Sequence, residues 1–537
     1  MADDVDPAAR DELQAVLARA MGGDAAAVGE LEDRMAGPLT FGTAGLRGPV
    51  RAGPNGMNTS VVVRTTSGVA AWLAANGKTS GLVVVGRDAR HGSARFASAA
   101  AEVLSAAGFD VRTLPGPLPT PVLAFAVGHL GAVAGIQITA SHNPPSDNGY
   151  KLYDGTGTQI VPPDDRAIES AIAAAGAAVS IPRSPGATEL GDDVLSAYLG
   201  RVAALSSGSE RELVVAATAL HGVGARTLTT ALTLAGFGEP RLVADQAEPD
   251  PDFPTVTFPN PEEPGATDRL LALAENTGAD LAIALDPDAD RCALGARDAE
   301  GTWRMLTGDE TGALLGEHIL ARVSTMPAGN VEPLVATTIV SSSMLAKIAG
   351  AHGARYAETL TGFKWLARAG DGLVYAYEEA LGLCVNPDFV RDKDGIAAAV
   401  VACGLAAELT ASGRSVFDAL DDLAVRHGVH LTGQVSLRIT DLDERARLMA
   451  AVRAEPPATL AGAAITAEDL LPEADVVRWS GEGVRVVLRP SGTEPKLKVY
   501  LEVTAPVPEP AELAGVRAAA HDRLTVLREA VQSQLAP

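Results

Sequence analysis

One arrangement recurs three times along this chain: an apolar strand, a polar loop, a helix, a glycine and a second strand. The first copy runs from a strand at Gly81–Gly86, through a helix at Phe96–Ala107, to Val111–Leu114. The second begins with Glu212–Thr218, turns at Leu220–Gly224, continues as a helix to Ala235 and ends with Arg241–Ala244. The third begins with Pro333–Val340, passes Ser341–Ser343 and a helix to Ala349, and ends with Arg355–Glu358. A strand that meets the next strand only after a helix makes a parallel crossover, so each copy predicts an α/β layer structure. The starts lie roughly 120–130 residues apart, the size of a domain and far longer than a solenoid repeat.

The last part of the chain breaks the pattern. Val435–Thr440, Val484–Leu488 and Leu497–Val503 read as strands, and a final helix is expected from about Ala511, just after Pro510. The fold class expected is therefore α/β: three similar mixed-sheet domains with mostly parallel strands, followed by a smaller α+β domain. Linkers near Ser206–Ser209, around Gly308 and near Gly428–Gly433 place the domains at 1–206, 207–312, 313–430 and 431–537. A chain of 537 residues is too long for one hydrophobic core, which agrees with this division.

Charge limits the partners. The chain carries 67 acidic and 43 basic residues, a formal net charge of −24. Nucleic acid and anionic membranes reward a basic surface, so neither is expected as a partner. A small anionic substrate is compatible if the cations converge locally. Only seven of the basic residues are lysine, at 78, 151, 347, 364, 393, 496 and 498, and three of these fall in the motifs below. Cys292, Cys384 and Cys403 form no C-x-x-C pair and predict no disulfide framework. The acidic N-terminal segment has no apolar signal region, and no stretch is long and apolar enough to span a bilayer, so a cytoplasmic protein is expected.

The sharpest chemical signal is Asp286-Pro-Asp288-Ala-Asp290-Arg291, directly after the apolar run Leu281–Leu285. Such a strand end delivers its loop to the carboxyl edge of a sheet, where α/β proteins place ligands. At about 5 Å and an effective dielectric near 20, each carboxylate pair repels by roughly 3 kcal/mol. A hard divalent cation removes that cost, and all-oxygen ligation suits Mg²⁺. An EF-hand loop would need Gly and Glu where Arg291 and Arg297 stand, so a calcium loop is excluded. A phosphatase using Asp286 as nucleophile stays open, although Pro287 makes a poor match to that D-x-D motif.

Two further loops carry hydroxyls and cations. Thr139-Ala-Ser141-His142-Asn143-Pro-Pro145 follows the strand-like Gly131–Ile138 and is no Gly-x-Ser-x-Gly elbow, which disfavours an acyl hydrolase. A serine attacking phosphorus needs a base and a nearby cation. Asn148-Gly-Tyr-Lys151 follows closely. Arg489-Pro-Ser491-Gly492-Thr493-Glu-Pro-Lys496 sits between two strands of the last domain and offers hydroxyls, a glycine turn and two cations, the makings of a phosphate cradle.

Together and in this order, these three segments resemble the α-D-phosphohexomutase superfamily of phosphoglucomutases and phosphomannomutases. The resemblance also takes in Thr43-Ala-Gly-Leu-Arg47-Gly48, Val85-Gly-Arg-Asp88 and Thr361-Gly362-Phe-Lys364. It implies four domains around a central cleft, and a mutase acting on a small sugar phosphate through a phosphoserine and a bisphosphorylated sugar. By the same resemblance, Ser141 carries the phosphoryl group and joins Asp286, Asp288 and Asp290 on one Mg²⁺ ion. Arg47 and Arg291 then line the transfer centre, with Lys151 as general acid/base supported by His142. Thr361, Gly362, Lys364, Glu378 and Glu379 would contact substrate, and Arg489, Ser491, Gly492, Thr493 and Lys496 its distal phosphate. A sugar 1,6-bisphosphate is implied as activator.

One departure bears on the sugar. Many relatives read Gly-Glu-x-Ser-Gly where this chain has Tyr377-Glu-Glu-Ala380-Leu-Gly382, and so lacks a hydroxyl at Ala380. This form is more like a branch that includes phosphopentomutases. The expected order is glucose, then mannose, then pentose. A sugar-bisphosphate-producing relative, the Asp286 phosphatase and a sugar-phosphate sensor are the alternatives. Oligomeric state and the role of the Pro- and acid-rich stretch 250–264 are not readable from the sequence.

Overall fold

The structure is a computed structural model in which residues 4–42, 45–206, 208–325, 331–438, 442–490 and 496–535 are described. The chain forms two compact units, Met1–Leu306 with Gly382–Gly413, and Thr307–Leu381 with Arg414–Pro537.

The first unit holds two sheets. In the six-stranded sheet, Leu46–Pro49, Asp147–Asp154, Ala134–Ile138, Leu82–Arg87, Asp110–Thr113 and Thr188–Glu189 lie side by side in that order. Leu82–Arg87 pairs in parallel with both Ala134–Ile138 and Asp110–Thr113, whereas Asp147–Asp154 is antiparallel to its neighbours. The five-stranded sheet orders Trp303–Met305, Cys292–Arg297, Leu281–Leu285, Val215–Thr218 and Arg241–Leu242, with the last three parallel. The expected strand–helix–strand copies thus appear as Leu82–Arg87, Ser93–Ala106 and Asp110–Thr113, and as Val215–Thr218, Gly224–Leu234 and Arg241–Leu242.

Leu281–Leu285 shows why its sequence is uniformly apolar. The helices Asp268–Thr277 and Gly395–Ala411 pack against it, all five positions are buried, and no alternation is possible. Its end delivers Asp286 into a loop held by close backbone approaches. A Cβ on Gly222 would lie 2.3 Å from Pro287 Cα, and one on Gly395 would lie 2.4 Å from the Arg291 carbonyl oxygen. Only glycine allows the 220–222 turn and the start of helix Gly395–Ala411 to close on the loop from two sides.

The second unit holds the parallel strands Arg355–Thr359, Leu334–Thr338 and Leu373–Glu378, with helix Gly308–Val323 started by a Thr307/Glu310 capping box. It also holds an antiparallel five-stranded sheet in the order Val429–Arg438, Lys496–Ala505, Val484–Pro490, Val477–Gly481 and Thr466–Asp469. Helix Leu513–Gln534 covers one face, burying Leu524, Leu527 and Val531 with Trp479 and Val486.

Some limits differ from expectation. The strand expected from Val435 begins at Val429, because ten consecutive residues pair with Lys496–Ala505. Its first half, Val429-His-Leu-Thr-Gly433, alternates apolar and polar residues as the second half does, but the glycines at 428 and 433 are loop signals, so Gly428–Gly433 reads as a linker although 429–433 is sheet. The boundary drawn at 430 falls inside this strand, and the one drawn at 312 falls inside helix Gly308–Val323. The final helix starts at Leu513, after a 3₁₀ turn at Pro510–Glu512. All three cysteines are buried and unpaired, and among the described residues no single helix is long and apolar enough to cross a membrane.

Gly222→Ala is expected to destabilise the protein by about 1–3 kcal/mol, because the added methyl meets backbone rather than a yielding side chain. Gly200→Ala, on an exposed helical position with open space around it, should instead stabilise by about 0.5–1 kcal/mol. Thermal unfolding of the two variants beside the parent checks both signs.

Candidate active site

The three carboxylates after Leu285 are completely buried, and one oxygen from each lies within 4.8 Å of the others. Protein donors engage both oxygens of Asp286 and one oxygen each of Asp288 and Asp290. Asp286 Oδ1 accepts the Arg291 amide at 3.0 Å, and its Oδ2 accepts the Ser141 hydroxyl at 2.9 Å and Arg291 Nη1 at 3.2 Å. Asp288 Oδ2 accepts Thr120 Oγ1 and, at 2.6 Å, Lys151 Nζ; Asp290 Oδ2 accepts Lys151 Nζ at 2.7 Å and stands 3.4 Å from Lys393 Nζ. Asp288 Oδ1 and Asp290 Oδ1 accept no hydrogen bond among the described residues. Two buried acceptor atoms without hydrogen-bond donors beside a third carboxylate fit a hard divalent cation, and the all-oxygen set suits Mg²⁺.

The charges are balanced unequally. Burial pushes the Asp286 carboxyl up to about 7, reinforced by Asp290 and Asp288 and opposed by Arg291. Burial acts in the same direction on Asp288 and Asp290, but Lys151 outweighs it at Asp288, and Lys151, Lys393 and Arg291 outweigh it at Asp290, leaving both below the usual carboxylate range.

Ser141 is fully buried, with φ at 53°, and its amide donates to Thr139 Oγ1 at 2.9 Å. Its hydroxyl oxygen accepts Arg291 Nη1 at 2.7 Å while donating to Asp286. The structure therefore brings two hydrogen-bonded sets together, Ser141, Asp286 and Arg291 in one and Lys151, Asp288 and Asp290 in the other, joined by the ion pair of Arg291 Nη1 with Asp290 Oδ1 at 3.5 Å. His142 is adjacent; burial, then the charges of Arg291 and Arg47, hold its imidazole well below the usual pKa, so it is neutral. Its Nδ1 has no hydrogen-bond partner among the described residues. Arg47 stands at the sheet edge, opposite Gly149 in register, and its charge is felt by the same carboxylates.

The expected substrate contacts lie in the second unit. Gly362 takes φ 105° as the cap of the short helix Phe363–Leu366, with Thr361 half-buried and Lys364 buried beside the Trp365 ring at 5.3 Å. Glu378 ends strand Leu373–Glu378, and Glu379 follows it in the turn. Glu379 Oε2 accepts Ser341 Oγ at 2.9 Å and Thr338 Oγ1 at 3.1 Å, and burial, then the Glu378 charge, pushes its carboxyl up to about 7. Arg489 is next to last in strand Val484–Pro490 and Lys496 begins the neighbouring strand Lys496–Ala505, whereas Ser491, Gly492 and Thr493 lie outside the described residues, as do Thr43 and Ala44.

Four family descriptions of phosphoglucomutase/phosphomannomutase match in succession: the alpha/beta/alpha domains I, II and III at residues 38–178, 196–300 and 307–426, and the C-terminal domain at 437–520. The chain is 41% identical to a Haemophilus influenzae protein named "Probable phosphomannomutase", over 85% of this chain and 95% of that one. It belongs to the phosphoglucomutase/phosphomannomutase family. It is 33% identical to the phosphopentomutase of Mus musculus, over 89% of this chain and 86% of that one. Its fold is shared with a phosphoglucomutase/phosphomannomutase family protein from Burkholderia thailandensis, with a TM-score of 0.71 at 20% identity, covering 92% and 97% of the two chains. Members of this family are isomerases that transfer phosphate intramolecularly, and this chain is an enzyme of that type.

Sequence reasoning missed several residues of this mutase's site. Thr120 caps Asp288 from a separate helix, with nothing in its Pro-Thr-Pro context to announce it. Lys393 carried one signal, the scarcity of lysine, and sits between Asp392, which accepts Tyr153 and Gln159, and Asp394, which accepts Tyr198. Arg90, two residues beyond the Gly-Arg-Asp88 motif, donates to the carbonyl oxygens of Ser141, Asn143, Pro144 and Asp147 at 2.6–3.1 Å.

Two outcomes are expected. Asp288→Asn should weaken Mg²⁺ binding at least about tenfold by isothermal titration, since the replaced oxygen loses its charge in a dry site. Glu379 binds its proton more tightly when folded, so its stability contribution falls as pH rises from about 4.5 to about 7 and stays low above. The Tm of Glu379→Gln relative to the parent should therefore rise between pH 5 and pH 8.

Proposed function

We propose that this chain interconverts the 1-phosphate and the 6-phosphate of a hexose, with glucose preferred and mannose next, through a phosphorylated Ser141. The observation that carries the reading is the Ser141 hydroxyl, placed between the Arg291 guanidinium and the Asp286 carboxylate at 2.7 and 2.9 Å. A phosphoryl group on that oxygen lies against a fixed cation and a carboxylate cluster suited to Mg²⁺. When bound, Mg²⁺ supplies positive charge beside the transferring oxygens, and Asp286, Asp288, Asp290 and Ser141 are the residues that would hold one ion.

In the forward half, the bond from Ser141 Oγ to phosphorus breaks as a sugar hydroxyl forms its own bond to phosphorus and gives up its proton. Arg291 and Arg47 offset the charge on the group in flight. We assign the proton to the pair Lys151 and His142. Lys151, whose Nζ donates to Asp288 and Asp290, is assigned as the general acid/base, with His142, its imidazole held well below the usual range by burial, in support. In the return half, the bisphosphorylated sugar presents its other ester to Ser141, which takes that phosphoryl group and restores the phosphoserine. A sugar 1,6-bisphosphate is therefore the natural activator. Thr361, Gly362, Lys364, Glu378 and Glu379 are assigned to the sugar, and Arg489, Ser491, Gly492, Thr493 and Lys496 to the phosphate that is not reacting, whose binding orients the acceptor hydroxyl.

Direct attack by Asp286, as a phosphatase would use, is disfavoured because both its oxygens already accept protein donors. A pentose substrate is the second reading, supported by the phosphopentomutase relative and by Ala380, which supplies no hydroxyl to a hexose.

Turnover of glucose 1-phosphate, mannose 1-phosphate and ribose 1-phosphate, each with Mg²⁺ and its bisphosphate, should be fastest for glucose. Isomerisation should disappear in Ser141→Ala. Release of free phosphate that persists in this variant would transfer the chemistry to Asp286.

A further inference from the structure

The stretch 250–264, rich in proline and acid, has no part in the assignments above, yet one of its residues is buried against the support of the nucleophile loop. Phe253 is 2% exposed, and its ring centroid lies 4.9 Å from the guanidinium carbon of Arg90, itself 4% exposed. That guanidinium is the only described side chain to grip four carbonyls of the 141–147 loop: Nη2 holds Ser141 and Asn143, and Nη1 holds Pro144 and Asp147. Asp88 stands 3.5 Å from Arg90 Nε and is aligned by Ser93 and the Arg90 amide. With both its Nη groups directed to one loop and its Nε facing Asp88, Arg90 determines where the Ser141 backbone sits, and any tilt of its plane moves the loop.

Phe253 limits that tilt. It takes φ 46°, a conformation unfavourable for a bulky residue, and so requires support from its surroundings. The support comes from the loops that follow strands Val215–Thr218 and Arg241–Leu242. The Asp250 amide donates to the His221 carbonyl at 3.0 Å, the His221 ring lies edge-on to Phe253 at 6.4 Å, and Thr255 Oγ1 bonds His221 Nε2 and Gln246 Nε2, both at 2.8 Å. His221 also precedes Gly222, which packs directly on Pro287 of the carboxylate loop. One turn thus supports Phe253 on one side and the Asp286–Asp290 loop on the other.

We propose that Phe253 is a positioning residue: stacked on Arg90, it sets the register of the Ser141 loop against the carboxylate loop. This inference rests on Ser141 being the phosphoryl carrier. The neighbouring His91–Asp252 pair, at 2.7 Å, lies on the surface with both side chains more than half exposed and has no positioning role.

The test compares the parent, Phe253→Leu, Arg90→Lys and Asp252→Asn, each corrected for folded fraction. The first-order rate of Ser141 phosphorylation by glucose 1,6-bisphosphate, followed by intact mass, should fall about tenfold in Phe253→Leu and about a hundredfold in Arg90→Lys, the size expected when a reacting atom moves by roughly 1 Å. KM for glucose 1-phosphate should stay within about twofold, and Asp252→Asn should match the parent. Hydrogen exchange across 139–147 should accelerate in Phe253→Leu while the strand Leu82–Arg87 keeps its protection. If Arg90→Lys does not fold, Phe253→Leu decides alone. A phosphorylation rate in Phe253→Leu within twofold of the parent, with unchanged exchange, overturns the proposal. Failure of the parent itself to take phosphate on Ser141 sinks the phosphoserine reading instead, and the exchange measurement still reports whether Phe253 holds the loop.

Discussion

Three carboxylates completely removed from water within one six-residue loop are the constraint on which the first unit is organised. Each buried ion costs several kcal/mol to desolvate, and each like-charged neighbour adds to that cost. The chain answers with three cations from three separate segments: Arg291 from the loop itself, Lys151 from the first sheet and Lys393 from the segment before helix Gly395–Ala411. A loop of this charge is held only if those segments are brought together. The antiparallel strand Asp147–Asp154, the glycine approaches at 222 and 395, and the hydrogen bonds of Tyr153 and Tyr198 to Asp392 and Asp394 all serve that convergence. The same arrangement leaves one oxygen of Asp288 and one of Asp290 without hydrogen-bond donors, so the electrostatic problem and the capacity for a divalent cation have one structural origin.

In the second unit the corresponding polar centre is Glu502. Burial would raise its carboxyl, yet His430 and Arg485 hold it down at about 2. Glu502 accepts Ser342 Oγ at 2.8 Å and the Ser343 amide at 2.7 Å, while Arg485 also donates to the Ser341 carbonyl. The Ser341–Ser343 turn is thereby fastened to the antiparallel sheet on one side and, through Ser341 Oγ, to Glu379 on the other. A loop assigned to the sugar and a sheet that presents Arg489 and Lys496 are thus coupled through buried, charge-assisted hydrogen bonds, which are stronger and more directional than surface ion pairs.

Local signals were enough wherever a function depends on consecutive residues. The apolar run ending in Asp286-Pro-Asp-Ala-Asp-Arg291, the Thr-Ala-Ser141-His loop and the strand–helix–strand copies were all visible, because a strand end, its loop and its periodicity are written in adjacent positions. The beginning of strand Val429–Arg438 was overlooked although its residues alternate apolar and polar, because Gly428 and Gly433 are loop signals that the pairing with Lys496–Ala505 overrides. Arg90, Thr120 and Lys393 were overlooked for a related reason: each acts on a loop far away in the chain, and none stands in a motif of its own.

The sequence by itself determined that the chain repeats an α/β unit three times before a different last domain, and it singled out a serine loop, a carboxylate loop and a cationic hydroxyl-rich turn as the candidates for phosphate chemistry. Tertiary structure alone decided which charges neutralise the carboxylates, which of their oxygens stay available, and how Ser141 is oriented. The physical reason is that burial and electrostatic balance depend on three-dimensional distance. Lys151 and Asp288 are 137 positions apart in the chain and 2.6 Å apart in the fold, and no local pattern encodes that meeting.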